Sequence, residues 1–247
     1  MSTLLTMKDV SAGYVADIEI LRSVNLEVAP GAITGLIGLN GAGKSTIMKT
    51  ICGFLHPSKG TIEFDGADIS AIAAHAAIDL GISYIPQESS LFPFMRIEDN
   101  LRLPLDHLRR RGGRLAGVDV EARLADMYDR FPALAARRGA KAGDLSGGQQ
   151  KMLEFAKAYL VRPRLCLVDE PSIGLAPKIA EDVYRWIDLF AQERMAILLV
   201  DHNVRRVVRM SQYIYVLSLG EIAAEGPPDA FTGDLHEQVK GWLGINF

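Results

Sequence analysis

Gly38-Leu39-Asn40-Gly41-Ala42-Gly43-Lys44-Ser45-Thr46 decides how the rest of this chain is read. The stretch satisfies the pattern G-x-x-x-x-G-K-[ST] at every fixed position. Residues 33–37, Ile-Thr-Gly-Leu-Ile, are a short apolar run ended by glycine and predict a buried strand. Residues 46–55 carry Ile47, Ile51, Phe54 and Leu55 at helical spacing and predict a helix. A strand, a glycine-rich turn and a helix are the setting of a phosphate-binding loop. The plain alternative, a glycine turn that merely caps a helix, accounts for the flanks but not for the lysine and hydroxyl at fixed places.

The residue types have physical reasons. Gly38, Gly41 and Gly43 can adopt backbone angles closed to other residues, so successive N–H groups can turn inward around an anion. A helix starting there adds the positive end of its dipole. Lys44 is expected to reach the outer phosphates, and the hydroxyl of Ser45 to bind Mg²⁺.

The whole chain sets the bounds. Its 247 residues suffice for one large domain with a smaller subdomain. A net charge of −3 gives no overall pull toward nucleic acid. No window approaches the ~18 apolar residues of a membrane span, and the N-terminus lacks a basic-then-apolar signal. Cys52 and Cys166 lie in apolar surroundings and read as reduced core thiols, which suits a cytosolic location.

In chain order, residues 4–10 and 21–28 predict strands, the second alternating apolar and polar. Tyr14 lies between them, either a ring that stacks on a base or an ordinary tyrosine beside an edge strand. Residues 60–64 predict a strand followed by an Asp65-Gly66 turn. Residues 82–85 predict another, followed by Pro86-Gln87-Glu88. The pattern then changes: Leu91-Phe92-Pro93-Phe94-Met95 is bulky and apolar, and residues 97–105 continue toward a charged, glycine-broken stretch, 109–114, that reads as a solvated loop. Residues 118–131 are again helical, so about 89–145 is expected to be a helical insertion.

Leu145-Ser146-Gly147-Gly148-Gln149-Gln150 opens a well-marked helix with Ser146 as its N-cap, a second place where amide groups face outward. Leu165-Cys166-Leu167-Val168-Asp169-Glu170 reads as a strand of a parallel sheet, with two carboxylates at the carboxyl end where such sheets carry their chemistry. Asp169 is placed to hold Mg²⁺ and Glu170 to orient and deprotonate a water. Residues 172–177 turn into an amphipathic helix. Residues 196–200 form a further buried strand ending at Asp201-His202, where a histidine can contact a γ-phosphate. Residues 213–218 and 221–224 predict a closing hairpin, and the tail from 227 a short helix.

Taken together the motifs resemble the ATP-binding subunit of an ABC transporter over nearly the full length. The phosphate loop corresponds to Walker A, Gln87 to the Q-loop, 145–150 to the LSGGQ signature, 165–170 to Walker B with its glutamate, 172–175 to the D-loop and His202 to the switch histidine. Tyr14 fits the aromatic A-loop position, which turns its reading toward base stacking. The signature discriminates, because kinases and GTPases share Walker A without it. The resemblance implies an α/β phosphate-loop NTPase core with a mainly parallel sheet, an antiparallel β subdomain and a helical subdomain, all in one nucleotide-binding domain over 1–247.

It further implies ATP and Mg²⁺ as ligands, with Ser45, Gln87 and Asp169 toward the metal. Glu170, His202 and Gln87 are then catalytic, and Tyr14, residues 38 and 40–46, Ser146, Gly147, Gly148 and Gln149 bind nucleotide. Two subunits, identical or related, pair head to tail at the cytoplasmic face of the inner membrane and drive integral membrane permeases, with a periplasmic binding protein if solute is imported. Leu91 to Met95 either form a docking groove for those permeases or fill their own core. Ser172-Ile173-Gly174-Leu175-Ala176-Pro177 is similar to ATPases of branched-chain amino-acid and amide importers, the reading favoured here. Asp201-His202-Asn203-Val204 and Pro86-Gln87-Glu88 look more like the lipopolysaccharide-export ATPase. DNA-acting relatives need a coiled-coil or zinc-bearing insertion for which the sequence has neither heptads nor a cysteine cluster.

Overall fold

The computed structural model describes residues 3–15, 18–110 and 117–231. The strands are β1 (Leu5–Ala12), β2 (Leu21–Val28), β3 (Ile33–Gly38), β4 (Lys59–Phe64), β5 (Ala67–Asp68), β6 (Ile82–Ile85), β7 (Leu165–Asp169), β8 (Ala196–Val200), β9 (Tyr213–Ser218) and β10 (Glu221–Gly226). The helices are α1 (Lys44–Ile51), α2 (Ala77–Leu80), α3 (Ile97–Arg110), α4 (Val120–Arg130), α5 (Pro132–Ala135), α6 (Gly147–Val161), α7 (Pro177–Gln192) and α8 (Val204–Met210).

Continuous apolar runs build the central sheet. β7 and β8 are buried at every residue, as strands covered on both faces must be. They pair in parallel with each other and with β6 and β3, and β9 adds a further parallel strand beyond β3. The order is β10-β9-β3-β8-β7-β6, with β10 antiparallel at one edge. A left-handed Leu219-Gly220 turn closes that last hairpin, as the sequence predicts. The second sheet, β2-β1-β4-β5, is antiparallel. β2 shows why: from Val24 it alternates buried and exposed, and past an irregularity at Ser23 it adds Leu21 to Val24, Leu26 and Val28 on the core side, with polar residues toward water. The sequence-derived fold class, a mainly parallel core with an antiparallel β part and a helical part, is what the chain adopts.

Two apolar clusters flank the parallel sheet. One gathers β1, β2, β4 and α1 onto one face around Leu36, Ile47, Met48 and Leu198. The other joins the opposite face to α3, α4, α6 and α7 through Phe131, Phe155, Tyr159, Ile187 and Phe190. Phe155 and Tyr159 on α6 meet Phe190 on α7 with ring centroids 5.6 and 6.2 Å apart. Buried aromatic contacts of this kind hold the helical layer to the sheet.

Several boundaries depart from the sequence reading. The helix expected over 46–55 starts earlier and stops at Ile51, because Gly53 takes φ 72° and a Cβ there would lie 2.4 Å from the Ile72 carbonyl oxygen. Phe54 is consequently outside the stripe and largely exposed. The first strand runs to Ala12 rather than Val10. α3 continues through Pro104 to Arg110, so Arg109 and Arg110 are helical rather than looped, and 111–114 lie outside the described residues. α4 begins at Val120, since Asp119 Oδ1 accepts from the amides of Glu121 and Ala122, and Pro132 ends it. The expected tail helix is described only as a 3₁₀ turn, Pro228–Phe231.

Candidate functional site

The parallel sheet sends the ends of β3, β7 and β8 to one edge, where Gly38, Asp169 and Val200 stand at adjacent strand ends. Topology alone therefore gathers segments distant in sequence. From β3 the chain turns through Leu39–Gly43 into α1. Gly41 and Gly43 take φ 82° and 111°, which a residue with a Cβ rarely adopts. At Gly38 a Cβ would meet the Leu217 carbonyl oxygen at 2.3 Å. α1 has no side-chain cap, which leaves its first-turn amides for an incoming anion. The loop's far side is anchored where the Gly220 amide donates to the Ala42 carbonyl at 3.0 Å.

Lys44 and Glu170 meet at this edge. Lys44 Nζ donates to the Gly38 and Leu39 carbonyls, both at 3.0 Å, and lies 3.7 Å from Glu170 Oε1. Both side chains are nearly buried, 8% and 12% exposed. Glu170 sits at φ 45°, held where its backbone N–H donates a hydrogen bond to the Val200 carbonyl oxygen at 2.8 Å. That left-handed backbone on a non-glycine residue is a strained placement of a carboxylate at a site edge.

Asp169, 1% exposed, accepts from the Tyr84 hydroxyl at 3.0 Å through Oδ2, while its buried Oδ1 has no hydrogen-bond partner. Burial, then the Asp169 charge, pushes the Tyr84 phenol far above its usual range, so it donates. A buried carboxylate oxygen with nothing to accept fits a cation or its water. Among the described residues no cluster of three His, Cys, Asp or Glu side chains forms a metal cage.

At the next strand end Asp201 is a junction. Its Oδ1 accepts from Ser172 Oγ at 3.0 Å, the Tyr184 hydroxyl at 3.2 Å and the Asn203 amide at 2.9 Å. His202 Nδ1 stands 3.3 Å from the same oxygen, which orients the ring, and the imidazole remains about half exposed. The 172–175 turn is tied to this junction through Ser172.

Gln87 follows β6 on an exposed bend whose flanks are pinned to α6. Lys151 Nζ donates to the Pro86 carbonyl at 3.3 Å, Glu154 Oε1 accepts the Ser90 amide at 2.7 Å, and Lys157 Nζ donates to the Ser90 carbonyl at 3.0 Å. Lys151 and Glu154 pair at 2.6 Å. Desolvation lowers the Lys157 ammonium below the usual lysine range. The other end of α6 is the signature. Ser146 Oγ accepts the Gln149 amide and Gln149 Oε1 accepts the Ser146 amide, a capping box that Arg137 also joins at 3.0 Å. Gly148 packs so close to Ile179 that a Cβ would stand 2.8 Å from it, whereas a Cβ at Gly147 would meet nothing.

The family model described as ABC transporter matches residues 21–173, more than half of the chain. The chain belongs to the ABC transporter ATPase family. Among curated relatives, this ABC ATPase is 34% identical over 224 residues to the probable branched-chain amino acid transport ATP-binding protein LivF of Archaeoglobus fulgidus, covering 90% of this chain and 91% of that protein. It is 32% identical over 210 residues to the high-affinity branched-chain amino acid transport ATP-binding protein BraG of Pseudomonas aeruginosa, covering 85% and 87%. The lipopolysaccharide export system ATP-binding protein LptB of Escherichia coli is 32% identical over 243 residues, 98% of each. Among solved structures, one of the ATP-binding subunit of an ABC transporter superposes with a TM-score of 0.79 at 28% identity, covering 98% of this chain and 94% of that one. A nucleotide-free ATP-binding cassette from an ABC transporter gives 0.78 at 27%, covering 98% and 96%.

The ABC ATPase thus binds ATP as its family does, and its candidate residues other than Tyr14 and Gln87 fall into two groups. Gly38, Asn40 to Thr46, Asp169, Glu170 and His202 occupy the one sheet edge, with Asn40 and Gly41 at the exposed tip of the loop. Ser146 and Gln149 hydrogen-bond to each other and Gln149 to Arg137, bonds that stay at this end of α6, away from the phosphate loop. Tyr14 is more than half exposed, its hydroxyl accepting from Lys49 Nζ at 3.3 Å and that cation 5.3 Å from the ring centroid. The sequence reading missed Tyr84, Glu154, Lys157 and Tyr184. Only Tyr84 left a trace there, as a polar ring three residues before Gln87 in a strand that leads to the site edge.

Proposed function

We propose that this ABC ATPase hydrolyses ATP as one of a pair of subunits, identical or related, and that each pair encloses the nucleotide between the phosphate loop of one subunit and the signature of the other. The observation that carries this reading is the split of the candidate residues: the loop, Lys44 and Glu170 stand together, while Ser146 and Gly147 are exposed at the start of α6 and the signature's side-chain hydrogen bonds among the described residues stay within it and with Arg137. A triphosphate draws Lys44 off the Gly38 and Leu39 carbonyls and away from Glu170. The adenine stacks on Tyr14, whose ring is more than half exposed with Lys49 over it. Loop amides and the start of α1 take the β-phosphate.

Glu170, released from Lys44, accepts a proton at its carboxylate from the water that attacks the γ-phosphorus, the bond to the ADP oxygen breaks, and inorganic phosphate leaves. His202, oriented through Nδ1 by Asp201, presents its other nitrogen to the γ-phosphate. Mg²⁺, when bound, neutralises charge on the phosphates; Ser45, Asp169 and Gln87 are the residues that would hold it, and the free Oδ1 of Asp169 fits that part. The γ-phosphate is the group the Ser146 hydroxyl and the Gly147 and Gly148 amides recognise, with Gln149 holding Ser146 in its capping box, so ATP and ADP favour closed and open pairs respectively.

We assign the pair to the cytoplasmic face of the inner membrane, bound to integral permeases, with no part for nucleic acid. No helix among the described residues is long and apolar enough to cross a membrane. Leu91 packs inward, but Phe92 and Phe94 are exposed, Phe94 at 88%, and the segment is locked by buried Asn100, which bonds both the Phe92 amide and carbonyl. Exposed aromatics on a pinned loop favour a docking role over a core-filling one. Ser90, which precedes this loop, lines an open groove of about 830 Å³ with Phe54, Tyr84, Leu103, Pro104 and His107, a second surface for the permease.

Uptake of branched-chain amino acids or related amides, with a periplasmic binding protein, is the favoured transport, on the likeness to LivF and BraG. Lipopolysaccharide export is the second reading, favoured by the relative that spans 98% of the chain. Reconstitution with the permeases encoded beside this chain tests both: ATP-driven accumulation of leucine supports uptake, and lipopolysaccharide extraction without leucine transport overturns it.

A further inference from the structure

We infer that Tyr84 is a positioning residue for Asp169, fixing that carboxylate so that one oxygen is committed to the protein and the other is presented to the nucleotide-bound metal. The inference rests on the reading of Asp169 given above and adds a residue to it. Tyr84 projects from β6, the strand hydrogen-bonded to β7, and its register partner is Leu167, two residues before Asp169. The hydroxyl reaches Asp169 Oδ2 at 3.0 Å, and Oδ1 is left buried with no partner. One acceptor occupied and its twin bare, on a carboxylate 1% exposed, fixes which oxygen faces the metal.

A lone carboxylate on a short side chain turns about its terminal torsion at little cost. A donor on one oxygen removes that freedom, and outer donors of this kind set ligand orientation at metal sites, with typical losses of about 10–100-fold in metal affinity when removed. The ring itself is held independently of the hydroxyl. Phe54 packs on it with centroids 6.4 Å apart and planes at 56°, and the same ring forms part of the wall of the 830 Å³ groove. Tyr84→Phe therefore deletes the hydrogen bond and keeps the packing.

The test is metal binding in the absence of turnover. Mn²⁺ is titrated into the full chain with a non-hydrolysable ATP analogue, and bound metal is read by electron paramagnetic resonance; a fluorescent analogue in EDTA gives the metal-free nucleotide affinity. Tyr84→Phe is expected to weaken Mn²⁺ about tenfold with metal-free affinity and the thermal melt unchanged. Asp169→Asn serves as the reference. If Asp169→Asn weakens Mn²⁺ and Tyr84→Phe does not, the positioning role is wrong while the reading of Asp169 stands. If neither variant alters Mn²⁺ binding, the reading of Asp169 itself falls. Equal loss of metal-free affinity in Tyr84→Phe would also overturn the inference, since the hydroxyl would then be supporting the loop and not the metal ligand.

Discussion

Replacing Asp201 by alanine removes the acceptor that joins three segments of the site, and the size of the loss can be worked from its neighbours. Three donors converge on Oδ1: Ser172 Oγ, the Tyr184 hydroxyl and the Asn203 amide. A buried donor left unsatisfied costs roughly 1–3 kcal/mol. Tyr184 is not stranded, because its hydroxyl already reaches Ser172 Oγ at 3.1 Å. Asn203 is exposed and its amide can turn to water. Ser172, 5% exposed, bears most of the loss. The alanine variant also relieves the buried and partnerless Oδ2, a partial offset. The net expectation is about 2 kcal/mol, the middle of the range for one buried donor. Asp201→Asn keeps an acceptor at the Oδ1 position and should cost less than about 1 kcal/mol, in the range of one ordinary hydrogen bond. Urea denaturation of the two variants beside the parent measures both. An alanine variant within about 0.5 kcal/mol of the parent, the usual scatter of neutral surface changes, would refute the junction, as would an asparagine variant losing as much as alanine. In the folded asparagine variant His202 loses its charged orienting partner, so ATP hydrolysis should fall while ATP affinity holds.

Lys44→Ala should weaken ATP binding itself by about tenfold or more, as loss of a buried phosphate contact of ~1.4 kcal/mol requires; an isothermal titration matching the parent would contradict the loop assignment. Glu170→Gln should bind ATP yet hydrolyse it at least about a hundredfold more slowly, checked by phosphate release, and parental turnover would remove Glu170 from the reaction. Burial pushes the Cys52 thiol from 9.0 up to about 12, and that of Cys166 higher still. Below pH 9 these thiols are protonated in both folded and unfolded chains; between 9.0 and about 12 only the folded chain keeps the Cys52 proton, so stability should fall as pH rises across that window. Melting temperature against pH checks this, and a flat profile from pH 9 to 11 would contradict it. Neither thiol should react with Ellman's reagent at pH 8 without denaturant.

The parts of this molecule legible in its sequence are those written in local patterns. The unbroken apolar runs of β7 and β8, the alternation in β2 and the glycines before Lys44 each announce their element, because burial on two faces, on one face, or a left-handed turn constrains residue type directly. The meeting of Lys44 with Glu170 follows from parallel order once β3 and β7 are recognised, although the 3.7 Å approach does not. What stayed hidden depends on register between strands or on contacts between layers. Tyr84 faces Asp169 only because β6 pairs with β7 in the register observed. Glu154 reads as one more acid on an amphipathic helix, and nothing local says that it is buried against the Ser90 amide. Gly53 ended α1 four residues early for a reason the helix does not contain, the Ile72 carbonyl in its path.

Whether two chains close on ATP is measured most directly by light scattering and small-angle X-ray scattering of Glu170→Gln at micromolar concentration, without nucleotide, with ADP and with ATP. The expected result is a monomer of 27.0 kDa without nucleotide and with ADP, and a species of twice that mass with ATP that Ser146→Arg abolishes. A single mass in all three conditions, with ATP shown to be bound, would contradict the account.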